Sequence, residues 1–205
     1  DMCIEAGQLV EDTRRAAAAL FGGTDAHRLV FGLNSTDALN LAIFGLLQRG
    51  DHAITTTLEH NSVLRPLHHA SRDLGVEVEH VPFDARGFVD PDAIRARIKR
   101  NTRLVAINHA SNVIGTVQPI AEIGRVCQQH GVKLVVDASQ TAGKVSIDVE
   151  AMHVDVLVFT GHKSLFGPTG IGGMYVRHGV EIRHTRAGGT GVRSAEPAHL
   201  DEYPY

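Results

Sequence analysis

The sequence predicts an α/β domain, a mostly parallel β-sheet with helices on both faces. Three observations carry that expectation. Short β-branched and apolar runs alternate along the chain with longer amphipathic ones. Glycines close several of the longer runs, at Gly22-Gly23, Gly75 and Gly131, as helix stops do. The 205 residues, 43% hydrophobic and 21% charged, suffice for one substantial core under an ordinary polar surface.

Taken in order, Ile4 to Leu20 is amphipathic and reads as a helix ending at Gly22-Gly23. Arg28 to Gly32 is a short strand, and Ser35 to Leu47 has helical periodicity and stops near Gly50. His52 to Thr57 is a β-branched run and so a buried strand. Asn61 to Leu74 is a helix closed by Gly75, and Val76 to Val81 the next strand. Pro91 to Lys99 is a helix, with Asp90 as N-cap and Pro91 in the first turn. Arg103 to Asn108 is a strand, Ile120 to His130 a helix, and Lys133 to Asp137 a strand. Val154 to Thr160 and Ile171 to Arg177 complete the sheet.

Composition excludes several functions. A net charge of -3, scattered Lys and Arg, no Trp and 5% aromatics leave neither the basic field nor the stacking surfaces that nucleic acid needs. The longest apolar run, Ala38 to Leu47, is too short to span a membrane. The opening DMCIEAGQ has no signal-peptide pattern. Cys3 and Cys127 form no redox or metal motif, so the expected setting is cytoplasmic and reducing. Among thirteen histidines, His68-His69 and the pair His178 and His184 lack a third ligand at useful spacing, and no metal is expected.

In open parallel sheets, ligands sit beyond the carboxyl ends of the strands. The residues there are polar and specific: Asn34-Ser35-Thr36, Glu59-His60-Asn61-Ser62, His109-Ala110-Ser111-Asn112, Asp137 with Ser139 and Gln140, and Thr160-Gly161-His162-Lys163. Together they suit a small, flat, charged ligand. Ser35-Thr36 read either as an N-cap or as an anion seat at a helix start. Asp137, at the end of the apolar run Leu134-Val135-Val136, either caps the following turn or pairs with a cationic ring nitrogen. Lys163 follows an apolar strand and precedes a glycine-rich stretch, where burial would favour a nucleophilic amine.

TGHKSLFGPTGIGG resembles the lysine motif of class V aminotransferase-fold enzymes, and most closely that of the cysteine desulfurase group. VVDASQTAG resembles the group's cofactor-ring motif, TTTLEHNSVLRP its stacking-histidine motif and ASNVIGTVQPI its asparagine motif, all in the family's order. The resemblance implies the large domain of a pyridoxal 5'-phosphate (PLP) enzyme of transferase fold type I. Lys163 would be the Schiff-base lysine and proton shuttle. Asp137 would pair with the pyridinium nitrogen and Gln140 with the phenolic oxygen, with Asn112 close to that oxygen and the substrate. His60 would stack on the ring and move protons. Ser35, Thr36, Thr160 and His162 would bind phosphate, from a first loop reading Asn-Ser-Thr where the family has Gly-Thr-Thr or Gly-Ala-Thr.

The activity implied is that of a cysteine desulfurase, taking cysteine to alanine and leaving sulfur on an enzyme cysteine, or of a selenocysteine lyase. An amino-acid substrate, a homodimer and a sulfur-acceptor protein go with it. No cysteine follows Lys163, where the family carries its own, and the family's small domain is absent from residues 1–205. The resemblance therefore implies an incomplete large domain, inactive in isolation and inclined to associate. Another class V enzyme, an aminotransferase or kynureninase-like lyase, and a non-catalytic assembly module are the alternatives.

Overall fold

Strand residues with apolar side chains on both sides of the backbone can be satisfied only by covering both faces of the sheet. In the computed structural model, which describes residues 2–188, that is the arrangement. Seven strands form one sheet: β1 (Leu29–Gly32), β2 (His52–Thr56), β3 (Glu77–Val81), β4 (Thr102–Asn108), β5 (Lys133–Asp137), β6 (Val156–Thr160) and β7 (Gly172–Val176). Their order is β1-β7-β6-β5-β4-β2-β3. Strands β6, β5, β4, β2 and β3 are parallel neighbours. Strand β7 runs antiparallel to both β6 and β1, so β1 points the same way as the parallel set.

The helices are α1 (Met2–Leu20), α2 (Ser35–Leu46), α3 (Asn61–Leu74), α4 (Pro91–Arg95) and α5 (Ile120–His130). Helices α2 and α3 pack on one face through Leu39, Ile43, Val63 and Leu67, against Ala106, Val135, Val156 and Val158. On the other face Ala18 of α1, Ile94 of α4 and Ile123 of α5 meet Ile107, Val136, Leu157 and Phe159. Neighbours Val135 and Val136 thus serve opposite faces, as the two-residue period of a strand requires.

Besides shifts of one or two residues at strand and helix ends, three features differ from the sequence expectation. Helix α4 stops at Arg95 rather than Lys99, because the chain continues in three-residue turns (Arg97 N to Ile94 O, Ile98 N to Arg95 O). The cap of α2 is Asn34, whose side chain accepts from Asp37 N at 2.9 Å, leaving the Ser35 and Thr36 hydroxyls uninvolved in capping. And α1 buries only Ala18, with Met2, Ile4 and Leu9 well exposed. Residues 189–205, among them GTGVRSAEP and the terminal Glu202 to Tyr205, lie outside the described residues.

Candidate active site

Because five strands are parallel and β1 shares their direction, the carboxyl ends of β1, β2, β4, β5 and β6 share one rim. A cleft with about 450 Å³ of empty space, open to solvent, lies along it. Each of the five strand-end loops contributes to its wall: Ser35 after β1, His60 and Ser62 after β2, Asn108, Ala110 and Asn112 at and after β4, Asp137, Ser139 and Gln140 at and after β5, and Lys163 after β6. Two close backbone approaches hold this rim together. A Cβ on Gly172 would meet the Asn34 backbone and the Phe159 carbonyl at 2.8 Å, so only glycine lets β7 lie beneath the loop that leads into α2. A Cβ on Gly143, which sits at φ +82°, would lie 2.8 Å from the Ser164 carbonyl, so glycine lets the chain pass close to the turn that carries Lys163.

Asp137 sits on the cleft floor, 6% exposed and paired across the sheet with Asn108 on one side and Val158 on the other. Ser139 donates both its N–H (2.9 Å) and its hydroxyl to Oδ1. The turn-capping role expected for an Asp here is therefore real and uses Oδ1, while Oδ2 takes part in neither bond. Asn108 fixes its amide by donating Nδ2–H to the Leu58 carbonyl at 2.7 Å. Its Oδ1 is buried and has no hydrogen-bond partner among the described residues. A buried acceptor lining a cleft in this state is satisfied when a ligand or water donates to it.

His60 caps α3: Ser62 N donates to its Nδ1 at 3.1 Å, and Ser62 Oγ lies 2.8 Å from the same nitrogen. An Nδ1 that accepts a backbone N–H leaves the proton of neutral His60 on Nε2. Immediately before it, Glu59 is buried, with Thr56 Oγ1 donating to its Oε1 at 2.6 Å and its Oε2 lacking a partner. Burial, helped by the charge of Asp137, pushes the Glu59 carboxyl up to about 8, so it is protonated at neutral pH. His109, buried under the floor beside Thr141 Oγ1 at 3.0 Å, is held below the ordinary imidazole range by desolvation.

Lys163 is exposed at the cleft, not buried as expected, because β6 ends at Thr160 and the turn lifts the next residues off the sheet. That turn is held by bonds from Phe166 N to Lys163 O (3.0 Å) and Gly167 N to Gly161 O (2.8 Å), with Phe166 at φ +55°, a conformation non-glycine residues adopt at a cost.

Of the residues singled out from the sequence, Ser35, His60, Asn112, Asp137, Gln140 and Lys163 line the cleft together. Three lie apart from its wall. Thr160 is buried at the end of β6 with its hydroxyl 3.1 Å from Nδ1 of the exposed His162. Thr36 faces a neighbouring groove with Asn40 and Arg186. Ser62, Asn108 and Ser139 line the cleft without having been assigned a role. Ser62 and Ser139 each lie within two residues of one that was, and Asn108 is the last residue of its strand, so the strand-end rule reaches all three.

The aminotransferase class-V family profile matches residues 1–204. Cysteine desulfurase IscS of Dictyoglomus turgidum is 35% identical over 88% of this chain and 46% of its own length. Among solved structures, SspA in complex with cysteine superposes with a TM-score of 0.85 at 33% identity, over 91% of this chain and 55% of that one. A mutant of C-DES with glycine covalently linked to its PLP cofactor does so with a TM-score of 0.82 at 29% identity, over 89% and 49%. The chain spans about half the length of the curated relatives it matches.

Proposed function

The chain belongs to the class-V aminotransferase family, and from that premise we propose that it holds PLP in the strand-end cleft and serves a cysteine desulfurase or selenocysteine lyase. The observation that carries the reading is one cleft lined by a lysine, a floor carboxylate with an uncommitted oxygen, an imidazole and the start of a helix. The residues fit the cofactor. Asp137 Oδ2 suits a cationic ring nitrogen, the orphaned Asn108 Oδ1 suits a donor on the ligand, and the α2 N-terminus with Ser35 suits a phosphate.

Bound PLP supplies an electron sink for charge that develops on an amino-acid substrate. Asp137 keeps that sink effective by holding the ring nitrogen cationic, and the Ser139 bonds to Oδ1 fix its orientation. Lys163 Nζ anchors the cofactor and, exposed at the cleft, takes and returns the substrate's proton. His60, its ring fixed by the Ser62 N–H donating to Nδ1, would stack on the ring. Asn112 and Gln140 border the ring oxygen. Ser35 and the α2 N-terminus would form the phosphate seat, and Thr36, Thr160 and His162 lie apart from the cleft wall.

Sulfur transfer needs a thiolate, and none lines the cleft. Cys127 is buried in α5, where desolvation pushes its thiol up to about 12, and Cys3 lies on exposed α1. The thiol that takes the sulfur is therefore neither Cys3 nor Cys127. The second reading is a class V aminotransferase or kynureninase-like lyase, which needs no such thiol. Cysteine offered to the PLP-loaded whole protein, this domain with the rest of its chain, separates them when a thiol acceptor is present: alanine with stoichiometric sulfur release is expected, and a keto acid would establish the second reading. The expected compartment is the cytoplasm; no helix among the described residues is long and apolar enough to cross a membrane.

A further inference from the structure

At the opposite end of β2 from the cleft, the strand pairing brings one side chain of β2 against two of β3. His52, the first residue of β2, lies level with Glu77 of β3, and Glu79 projects on the same side two residues on. We infer that His52, Glu77 and Glu79 form a site for one divalent cation of the zinc class.

The observation that points to a ligand is the state of His52. Its side chain is fully buried, and its Nε2 has no hydrogen-bond partner among the described residues. The nearest acidic oxygen, Glu79 Oε1, is 3.4 Å away. That is long for an N–H···O bond, which centres on about 2.9–3.0 Å. It matches the separation of two ligands on one tetrahedral zinc: bonds of about 2.0–2.1 Å at the tetrahedral angle place the ligand atoms about 3.3–3.4 Å apart. One ligand atom from each of the three residues falls within 4.8 Å of the others.

The surroundings suit a ligating imidazole. His52 Nδ1 is 2.8 Å from Thr102 Oγ1, the outer contact that fixes the ring of a metal-bound histidine. A cation already belongs here: Lys99 Nζ lies 2.7 Å from Glu77 Oε1 and 2.5 Å from Glu79 Oε1. Lys99 is partly exposed and can swing into solvent when a metal takes its place. Arg97, 3.6 Å from Glu79 Oε2, remains as an outer counter-charge. One imidazole and two carboxylates, with the exposed side of Glu77 left for water, suit zinc better than calcium or magnesium, which demand six or more oxygens. Thr56 at the other end of β2 is about 13 Å away, so the ion would staple the edge strand β3 to β2 and take no part in the cleft chemistry.

The test is calorimetric titration of the chelator-stripped full chain with Zn²⁺, with Mg²⁺ as control. One Zn²⁺ per chain is expected, weakened at least tenfold in Glu77→Gln and in Glu79→Gln, whose part-exposed side chains leave the core intact. Lys99→Ala should bind more tightly, because the competing ammonium is gone. Zn²⁺ just sufficient to saturate the parent chain should raise its melting temperature more than that of Glu79→Gln. Absence of saturable binding, binding unaffected by both glutamate substitutions, or weaker binding in Lys99→Ala would each overturn the assignment.

Discussion

Glu59 and Asp137 are two buried acids beneath the cleft with unequal hydrogen-bond support. Asp137 receives two donors from Ser139, whereas Glu59 receives the Thr56 hydroxyl on one oxygen and nothing on the other. The Glu59 carboxyl, pushed up to about 8 from an ordinary 4.5, keeps its proton in the folded chain and loses it near 4.5 in the unfolded one. The folded state therefore holds the extra proton between these values, and stability falls as pH rises through that window, levelling off above about 8. Glu59→Gln removes this dependence. Urea unfolding should show it gaining on the parent chain by up to roughly 3–5 kcal/mol between pH 5 and pH 8.5; a difference that does not change with pH would refute the buried neutral acid. Cys127 makes a second residue-scale prediction: buried, with its thiol near 12, it should resist alkylation at pH 8 until denaturant is added. Its packing role was legible from its mid-helix place before a buried strand. The state of Glu59 was not, because burial in the turn between β2 and α3 depends on Asn108 and Asp137 arriving from two later strands.

At the scale of elements, β7 shows what the sequence could and could not convey. Its apolar character was clear, but its direction was not, since nothing in Gly172–Val176 distinguishes a reversed strand from a parallel one. The structural reason for Gly173 emerges only in the sheet: a Cβ there would lie 2.3 Å from the Val30 carbonyl. Gly173→Ala should destabilise the chain by about 2–4 kcal/mol in chemical denaturation, and a change under 0.5 kcal/mol would mean that β1 yields freely. The helices were read well where caps are local, at Asp90-Pro91, Gly75 and Gly131. They were misjudged where a competing cap sat one residue away, as with Asn34 ahead of Ser35.

Over the whole molecule, the parallel set was legible because its strands are apolar on both faces, and that alone located the site: five loops chosen by their place after strands all reach one cleft. The sheet order, with β4 inserted between β5 and β2, was not written in any local pattern. Nor was the histidine–glutamate cluster on β2 and β3, whose members meet only through strand register. The cleft is flanked by apolar side chains that ordinarily seek cover: Val113, next to Asn112, is 81% exposed, and Phe166, in the turn of Lys163, is 94% exposed. We propose that a second copy covers them. Sedimentation should show a dimer that Val113→Asp with Phe166→Asp converts to monomer, and a monodisperse monomer of the parent chain would contradict this.

Whether Lys163 holds the cofactor is decided by borohydride reduction of the PLP-loaded protein followed by peptide mapping. A visible absorption band that reduction abolishes, with the pyridoxyl group recovered on Lys163 and absent from Lys163→Ala, is the predicted result. A band that survives in Lys163→Ala, or label recovered on another lysine, would contradict the account.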